Sequence, residues 1–485
     1  MRKILSTAVI LVFLFNITCL VAFAGTAEKP SFVYGDVNGD SKFNSTDYSL
    51  LKRHILGTYE IKSENALKAA DVNADGQINS IDYSLFKRRL LDKIDAFPTE
   101  LTYEISNEVQ KGNSKFAFNI FRQLNKEDED KSVFISPLSI STALTMTYQG
   151  ARNQTAQEIA EALAYQGIDI KDLNNYYRSL LEYLEQADDK IKLDISNSIW
   201  LNENADFNIE DVNKDFVSNN KDVFKADFET ADFSKDSEVE RLNEWVSDAT
   251  EGMIPHIVNK EDVIDSVMDI INAIYFKGDW AQKFDPERTN KAFFYTEDGE
   301  KTEVSMMNMR EEIYYGEGTG FKVVRLPYGS GKTAMYCVLP SEGTSISEFV
   351  EAMNAEKWET IKESIAKRET ILNLPKFKVE YGVKKLKDSL RSLGMQIPFT
   401  GSADFSGICE ERNLYIDDVL HKAVIEVNEE GSEAAAVTVV IIRDSAVHEP
   451  NEFNANRPFM FVIEEVEHGT ILFMGKILEA PIDQK

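Results

Sequence analysis

Along most of the chain the apolar residues follow either helix-like or strand-like spacing, and the two patterns occur in irregular order. Phe116, Ile120 and Leu124 recur every four residues, which predicts one face of a helix. Similar spacing predicts further helices at 139–150 and 155–163. Because helices and strands follow no regular alternation, the pattern favours an α+β domain with large, mostly antiparallel sheets over a doubly wound parallel sheet. Short apolar runs predict its strands at 267–276, 322–326, 334–339, 422–427 and 471–475.

The first 24 residues follow neither pattern. Arg2 and Lys3 precede an apolar run at 4–21, and Ala22 and Ala24 supply small residues before Gly25. This is the pattern of a secretory signal peptide that is removed after residue 24. No basic stop-transfer segment follows, which argues against a membrane anchor. The mature protein is therefore predicted to be secreted.

Residues 31–96 contain an internal repeat. Asp-Val-Asn at 36–38 recurs 35 residues later, at 71–73, and Asp-Tyr-Ser-Leu at 47–50 recurs at 82–85. Each copy spaces oxygen-bearing residues as a calcium loop does, and Ca²⁺ takes six or more oxygen ligands. The candidate ligands are Asp36, Asn38, Asp40, Asn44, Asp47 and the carbonyl of Lys42 in one loop, and Asp71, Asn73, Asp75, Asn79, Asp82 and the carbonyl of Gln77 in the other.

A single loop of this kind can be a solvated turn, but two copies strongly indicate metal binding. The loops differ from an EF-hand because each ends on Asp rather than Glu and no helix is predicted before it. The repeat resembles the type I dockerin. The resemblance implies two bound Ca²⁺ ions and a cohesin of a cellulosomal scaffoldin as partner. Ile81 departs from the Ser-Thr pair of the first copy, so the equivalence of the two faces stays open. The implied cohesin-binding residues are Ser45, Thr46, Lys52, Arg53, Ser80, Ile81, Lys87 and Arg88.

The overall charge excludes some classes of partner. Asp and Glu number 82 against 53 Lys and Arg, which gives a net charge of −29. Such a chain is a poor candidate for sequence-independent binding to nucleic acid or for docking on an anionic membrane. Cys19 lies in the predicted signal peptide, so Cys337 and Cys409 remain. We expect two buried free thiols, with a single disulfide left open.

Catalytic motifs are scarce. The chain contains five histidines, none of them in an H-E-x-x-H pair, and no serine lies in a G-x-S-x-G elbow. Gly331-Lys332-Thr333 ends like a phosphate loop, but Leu326 replaces the first glycine. Scattered carboxylates could form a glycosidase pair, and the sequence gives no way to choose one. We rank a glycoside hydrolase last because the motifs described below fill the space that a catalytic domain would need, and the family they resemble implies no enzyme.

Residues 429–451 have an unusual composition. A small-residue run at 429–436 leads into six β-branched residues at 437–442, which favour a strand. Charged and turn-forming residues follow at 443–451. Small side chains at the start of this strand add little packing but let a chain pass between two neighbours.

This stretch resembles the hinge and reactive loop of a serpin, and several motifs elsewhere agree. They are Phe-Ile-Ser-Pro-Leu-Ser-Ile at 134–140, Asn-Ser-Ile-Trp-Leu at 197–201, Asn-Ala-Ile-Tyr-Phe-Lys-Gly-Asp-Trp at 272–280, Leu-Pro-Lys-Phe at 374–377, His-Lys-Ala at 421–423 and Arg-Pro-Phe at 457–459. The resemblance implies the serpin fold at 103–482, after a linker at 97–102. It also implies a suicide inhibitor of serine or cysteine proteases, whose cleaved loop inserts into the main sheet as a new strand.

The resemblance assigns roles to individual residues. Ser136, Ser139, Asn272 and His421 match the polar cluster that governs sheet opening. Trp280 and Lys376 lie where the loop first inserts, and Lys376 would pair with Glu429. On insertion, the alternate residues from Ser432 to Ile442, all small or β-branched, would face the interior. The implied hinge is Glu429, Gly431, Ser432, Ala434, Ala435 and Ala436.

The scissile bond has two candidate positions. The usual family count of sixteen residues after Glu429 gives Ser445–Ala446, and counting back from Pro458 gives Val447–His448. We favour Ser445–Ala446, because the hinge side determines how much strand is inserted. A small residue at the cut site predicts a subtilisin-like protease. The alternative is a non-inhibitory serpin that acts as a structural or binding component.

Overall fold

The computed structural model describes residues 32–72, 78–91, 97, 105–188, 190–432 and 450–479. The chain divides into two compact units, Met1–Thr102 and Tyr103–Lys485. Outside the described residues lie the predicted signal peptide, most of the linker, the second-loop ligands Asn73, Asp75 and Gln77, and the loop from residue 433 to 449. Among the helices that are described, none combines the length and apolar character needed to cross a membrane.

The small unit is helical. Its helices are α1 (Ser45–Ile55), α2 (Glu64–Ala70) and α3 (Ser80–Leu90). Its core includes Leu51, Phe86 and Phe97, and the ring of Phe97 packs edge-on against Phe43 at 5.0 Å. Phe97, which the sequence assigned to the linker, is therefore part of this core. Helix α2 ends directly before the second loop, so the expectation that no helix precedes the loops is wrong for that copy.

The large unit combines helices with extensive sheets. Its helices are α4 (Asn107–Glu127), α5 (Pro137–Tyr148), α6 (Asn153–Ala162), α7 (Ile170–Gln186), α8 (Lys214–Phe224), α9 (Asp236–Ala249), α10 (Lys260–Val263), α11 (Ile346–Glu351), α12 (Ala355–Glu363) and α13 (Lys387–Ser392). Its strands are β1 (Val133–Ile135), β2 (Ile191–Asn202), β3 (Asp227–Ala231), β4 (Met268–Asp279), β5 (Asn290–Tyr295), β6 (Lys301–Gly318), β7 (Phe321–Tyr328), β8 (Thr333–Pro340), β9 (Ala366–Pro375), β10 (Phe377–Glu380), β11 (Lys384–Lys385), β12 (Leu420–His421), β13 (Val424–Val427), β14 (Gly431–Ser432), β15 (Asn451–Asn454), β16 (Phe459–Glu465) and β17 (Thr470–Ile477).

The strands form one large sheet and several smaller ones. The large sheet has the order β1-β17-β16-β8-β7-β6-β9-β15, with β5 also paired to β6. All its pairs are antiparallel except β9 with β15. Strand β8 is buried along its whole length, as expected for a strand covered on both faces. The predicted α+β fold with mostly antiparallel sheets is confirmed. Cys337 and Cys409 are buried free thiols.

Strand β4 has one fully paired edge and one largely open edge. It pairs with β2 from Met268 to Gly278. On its other side, the described residues supply only β14, opposite Gly278 and Asp279. The two-stranded pairs β10-β13 and β11-β12 form separate ladders. Backbone N–H and C=O groups along the open edge of β4 can therefore accept another strand.

Candidate functional site

The predicted hinge begins at the end of β4. Gly431 pairs with Asp279 and Ser432 with Gly278, both antiparallel. Gly431 has φ of +142°, and a Cβ atom there would lie 2.1 Å from the carbonyl oxygen of Gly278. Only glycine fits this close approach, because any side chain would collide with backbone.

Trp280 holds the start of the hinge through two hydrogen bonds. Its backbone N–H donates to the carbonyl of Glu430 at 2.8 Å, and its indole N–H donates to the carbonyl of Asn428 at 2.9 Å. The indole is buried and stacks on Tyr328, with ring centroids 4.3 Å apart. Tyr328 was not predicted as a site residue, because no sequence pattern links residues 48 positions apart.

Glu429 is held by an ion pair and a hydrogen bond. Lys376 Nζ lies 3.0 Å from its carboxylate, and the hydroxyl of Thr289 donates to it at 2.8 Å. Burial alone would raise the pKa of Glu429, but hydrogen bonds from Lys376 and Thr289 outweigh burial and lower it. The carboxylate is therefore charged in the folded protein and anchors the base of the loop.

We expect Lys376→Met to destabilise the protein at neutral pH, because it removes the cationic partner of a mostly buried carboxylate. The cost should be about 1–3 kcal/mol. Since the folded pKa of Glu429 is lowered, the pair contributes stability above the unfolded pKa, and this contribution is lost as pH falls through the folded pKa. Urea unfolding at pH 7.5 and pH 3.5 should show the difference from wild type shrinking at the lower pH.

Lys378→Met is the matched control for this prediction. Lys378 lies 4.0 Å from Glu426, and both side chains are half exposed. Exposed pairs contribute little, so this variant should unfold like wild type at both pH values. Equal losses of unfolding free energy in Lys376→Met and Lys378→Met would contradict this prediction, because they would show that the Glu429 carboxylate needs no paired cation.

The predicted sheet-opening cluster is only partly brought together. Ser136 caps helix α5: its hydroxyl accepts from the N–H of Ser139 at 3.1 Å and donates to the carbonyl of Leu472 at 2.7 Å. The backbone N–H of Ser136 donates to His421 Nε2 at 3.1 Å. Burial lowers the pKa of His421 to about 4. The imidazole is therefore neutral, with its proton on Nδ1.

Asn272 belongs to a different hydrogen-bond chain. Its Nδ2 donates to Asn197 Oδ1 at 2.6 Å, and Asn197 in turn donates to the carbonyl of Phe224 at 2.7 Å. Its own Oδ1 is buried and has no hydrogen-bond partner in the described part of the chain. Asn272, Ser139 and His421 all line one cavity of about 480 Å³. Asn197, directly opposite Asn272 in the β2–β4 pairing, is a site residue that the sequence reasoning missed.

The first calcium loop is wrapped around its first carboxylate. Asp36 accepts hydrogen bonds from the backbone N–H groups of Gly39, Asp40 and Ser41, at 2.7–3.0 Å. Ser41 takes the sharp turn with φ of +64°, at the position that corresponds to Gly76 of the second copy. Asp40 accepts from the backbone N–H of Lys42, and its own N–H donates to the Asn38 side chain. The amide oxygen of Asn44 caps helix α1 by accepting from the N–H of Thr46.

The aspartate at the last ligand position accepts an equivalent pair of backbone hydrogen bonds in both copies. Asp47 accepts from the N–H groups of Val37 and Asn44, and Asp82 accepts from the equivalent Val72 and Asn79, at 2.9–3.0 Å. Both carboxylates are fully buried. Burial raises the pKa of Asp47, and the nearby charge of Asp36 raises it further.

The first loop fits a divalent cation. Asp36 and Asp47 place two little-exposed carboxylates in one loop, together with amide and carbonyl oxygens, which is the ligand chemistry of Ca²⁺. Asp71 and Asn79 belong to the described part of the second loop.

The implied cohesin-binding residues form exposed helix faces. Ser45, Thr46, Lys52 and Arg53 are exposed on α1, and Ser80, Lys87 and Arg88 are exposed on α3. The guanidinium of Arg53 lies over the ring of Tyr59, 5.4 Å from its centroid. The side chain of Ile81 lies outside the described part of the structure.

Comparison with known proteins identifies both units. Residues 111–480 match the family described as serpin (serine protease inhibitor), and residues 34–91 match the type I dockerin domain. Intracellular coagulation inhibitor 2 of Tachypleus tridentatus is 34% identical over 76% of this chain and 90% of its own length. Human antithrombin-III is 35% identical over 76% of this chain and 81% of its own.

Solved structures agree with these relatives. The native state of tengpin, a thermophilic serpin, is 34% identical and superposes with a TM-score of 0.69, covering 80% of this chain and 98% of tengpin. The structure of thyroxine-binding globulin in complex with thyroxine is 28% identical, with a TM-score of 0.69 and coverage of 77% and 99%. The chain belongs to the serpin family and carries a type I dockerin domain at its N-terminal end.

Both resemblances drawn from the sequence are therefore confirmed. Serpins are generally protease inhibitors rather than enzymes. Type I dockerin domains bind calcium, and a dockerin implies a cohesin partner and association with an extracellular cellulosome.

Proposed function

We propose that this protein is a secreted suicide inhibitor of serine proteases, and of subtilisin-like proteases in particular, tethered to a cellulosomal scaffoldin by dockerin–cohesin binding. The observation that carries this proposal is the open edge of β4 beside the hinge. Gly431 and Ser432 already pair with the end of that edge, and the described residues leave the rest of it without a strand partner. The loop that follows Ser432 has a free edge on which to form a strand.

The chemistry divides between the protease and this chain. The catalytic serine of the protease attacks the carbonyl carbon of Ser445, the bond to Ala446 breaks, and residue 446 leaves with a free amino group. Residues 432–445 then insert beside β4 and carry the acyl-linked protease away from the hinge. Glu429 and Trp280 hold the base of the moving strand. Ser139, Asn272 and His421 line a cavity beside the beginning of β4. We infer that these three residues, together with Ser136, control the opening of the sheet.

The dockerin supplies the tether. We assign the signal peptide to residues 1–24, the dockerin to 31–96 and the serpin domain to 103–482. Two bound Ca²⁺ ions would neutralise the acidic loops, held by the ligands already named in each copy. The exposed faces of α1 and α3 would then contact cohesin.

A panel of serine proteases tests the inhibitory function. We expect a complex with a subtilisin-like protease that survives boiling in detergent, because the link is an acyl bond. Mass spectrometry of the denatured complex should show a C-terminal fragment that begins at Ala446. A fragment that begins within 437–442 would leave too short a strand to insert and would indicate a simple substrate.

The runner-up is a non-inhibitory serpin that acts as a binding component. The similarity to thyroxine-binding globulin, solved with thyroxine bound, favours it as a second candidate. The absence of charge or proline at Ser432 and at 434–436 argues for inhibition instead. Cleavage of the loop without a covalent complex, by every protease in the panel, would favour the binding role.

A further inference from the structure

The end of β16 and the turn that follows it gather three potential metal ligands. Glu465, Glu467 and His468 each offer one ligand atom, and these atoms all lie within 4.8 Å of one another. Two carboxylates and an imidazole supply oxygen and nitrogen donors, which is a ligand set that Zn²⁺ takes in proteins. Glu465 is fully buried and Glu467 is exposed, so the group extends from the core to the surface.

Two adjacent buried glutamates at the end of β16 differ in their cationic partners. Glu464 is paired with a lysine, because Lys362 Nζ lies 3.0 Å from its carboxylate. Within the described residues, the sole ion-pair partner of Glu465 is His468, whose Nδ1 lies 3.3 Å away and which is positive only when protonated. A buried carboxylate is costly without a positive partner. The fully buried Glu465 is therefore a position where a bound cation would stabilise the fold.

Hydrogen bonds already orient the two carboxylates. The backbone N–H groups of Glu467 and His468 donate to Glu465 at 2.7 and 3.0 Å. The hydroxyl of Tyr183, on α7, lies 2.9 Å from the Glu465 carboxylate and 3.0 Å from that of Glu467. One phenolic proton can be donated to only one of these carboxylates at a time. Donors of this kind around a metal site hold the ligating groups in position.

The spacing of the buried ligand pair fits one small ion. His468 Nδ1 and Glu465 Oε2 lie 3.3 Å apart. Two ligands on a tetrahedral Zn²⁺ ion, with bonds of about 2.0–2.2 Å, are separated by about 3.3–3.6 Å. The ion would take the place of the proton between these two atoms. Glu467 would complete three protein ligands, and its exposure leaves the fourth position open to water.

We propose that Glu465, Glu467 and His468 form a Zn²⁺ site with water as the fourth ligand. The ion balances the buried charge of Glu465. Because Tyr183 contacts both carboxylates, the occupied site also joins the turn between β16 and β17 to α7. The inference does not depend on loop insertion or on cohesin binding, since all three ligands come from one short segment of the chain.

Titration calorimetry on the full-length protein tests the site. Zn²⁺ is added in the presence of excess Ca²⁺, which keeps the dockerin loops from competing for it. We expect wild type to bind one Zn²⁺ ion, and His468→Ala and Glu467→Gln to bind it about a hundred-fold more weakly or worse, because even outer-shell changes cost about 10–100-fold. Tyr183→Phe removes only an outer-shell hydroxyl and should cost about ten-fold.

His256→Ala is the matched control for loss of an imidazole. His256 is exposed and its Nε2 lies 3.1 Å from Asn259 Oδ1, in a different part of the large unit. Its removal should leave zinc affinity unchanged. Glu467→Gln changes an exposed side chain by one atom, so the test does not depend on the folding of His468→Ala alone.

Three results would overturn the site. They are a failure of wild type to bind Zn²⁺ in a one-to-one ratio, equal affinity in wild type and His468→Ala, and equal loss of affinity in His468→Ala and His256→Ala. A failure of wild type to bind would show that protonated His468 alone balances the charge of Glu465.

Discussion

Replacing Ser432 with arginine should turn the inhibitor into a substrate. Ser432 pairs with Gly278 at the point where the loop joins β4, and in the inserted strand residue 432 would face the sheet interior. Burying an unpaired charge there costs several kcal/mol. A barrier raised by about 3 kcal/mol slows insertion roughly a hundred-fold. Hydrolysis of the acyl-enzyme would then be faster than insertion of the loop. The protease would be released in active form, and the loop would be left cleaved.

The measurement is the ratio of inhibitor consumed to protease trapped, with detergent-stable complex followed on gels. Ser432→Thr is the matched control, since it keeps a small uncharged side chain and should still trap protease. Both variants should be cut at the same bond, because residue 432 is far from the cut site. If Ser432→Arg traps protease with unchanged stoichiometry, insertion beside β4 is not how this protein inhibits.

Local motifs allowed much of the fold and the hinge to be predicted. The strands at 267–276 and 334–339 are contiguous apolar runs, so their spacing alone reveals them, whereas the hinge from Glu429 to Ser432 was assigned through the resemblance to serpins. The proximity of Lys376 to Glu429 followed from a family resemblance, which already encodes contacts between distant residues.

What the sequence missed is non-local. Tyr328 under Trp280 and Thr289 beside Glu429 come from different elements, and only the tertiary fold brings them together. Phe97 lies seven residues after the end of α3 and still packs into the dockerin core, a contact that no periodicity predicts. Asn197 lay in a recognised motif, but its role depends on the register of β2 against β4.

Removing calcium should unfold the dockerin and leave inhibition intact. The small unit has a limited core, and its first loop is organised around the carboxylates of Asp36 and Asp47. Without a cation these nearby carboxylates repel each other, and Asp47 lies buried. Ligand binding and folding are then coupled, so the free energy of calcium binding becomes free energy of folding.

Excess chelator should therefore abolish binding to a type I cohesin, measured by calorimetry. In the absence of cohesin, chelator should reduce the helical circular dichroism signal of the protein only by the contribution of the three short dockerin helices. Asp40→Ala should weaken calcium binding, whereas Lys42→Ala, the matched control, should not, because position 42 contributes only its backbone carbonyl. Trapping of protease should be the same with and without chelator, since the hinge and β4 contain no part of these loops. Unchanged cohesin affinity in excess chelator would contradict the coupling, because the helix faces of α1 and α3 would then be ordered without the ion that joins their loops.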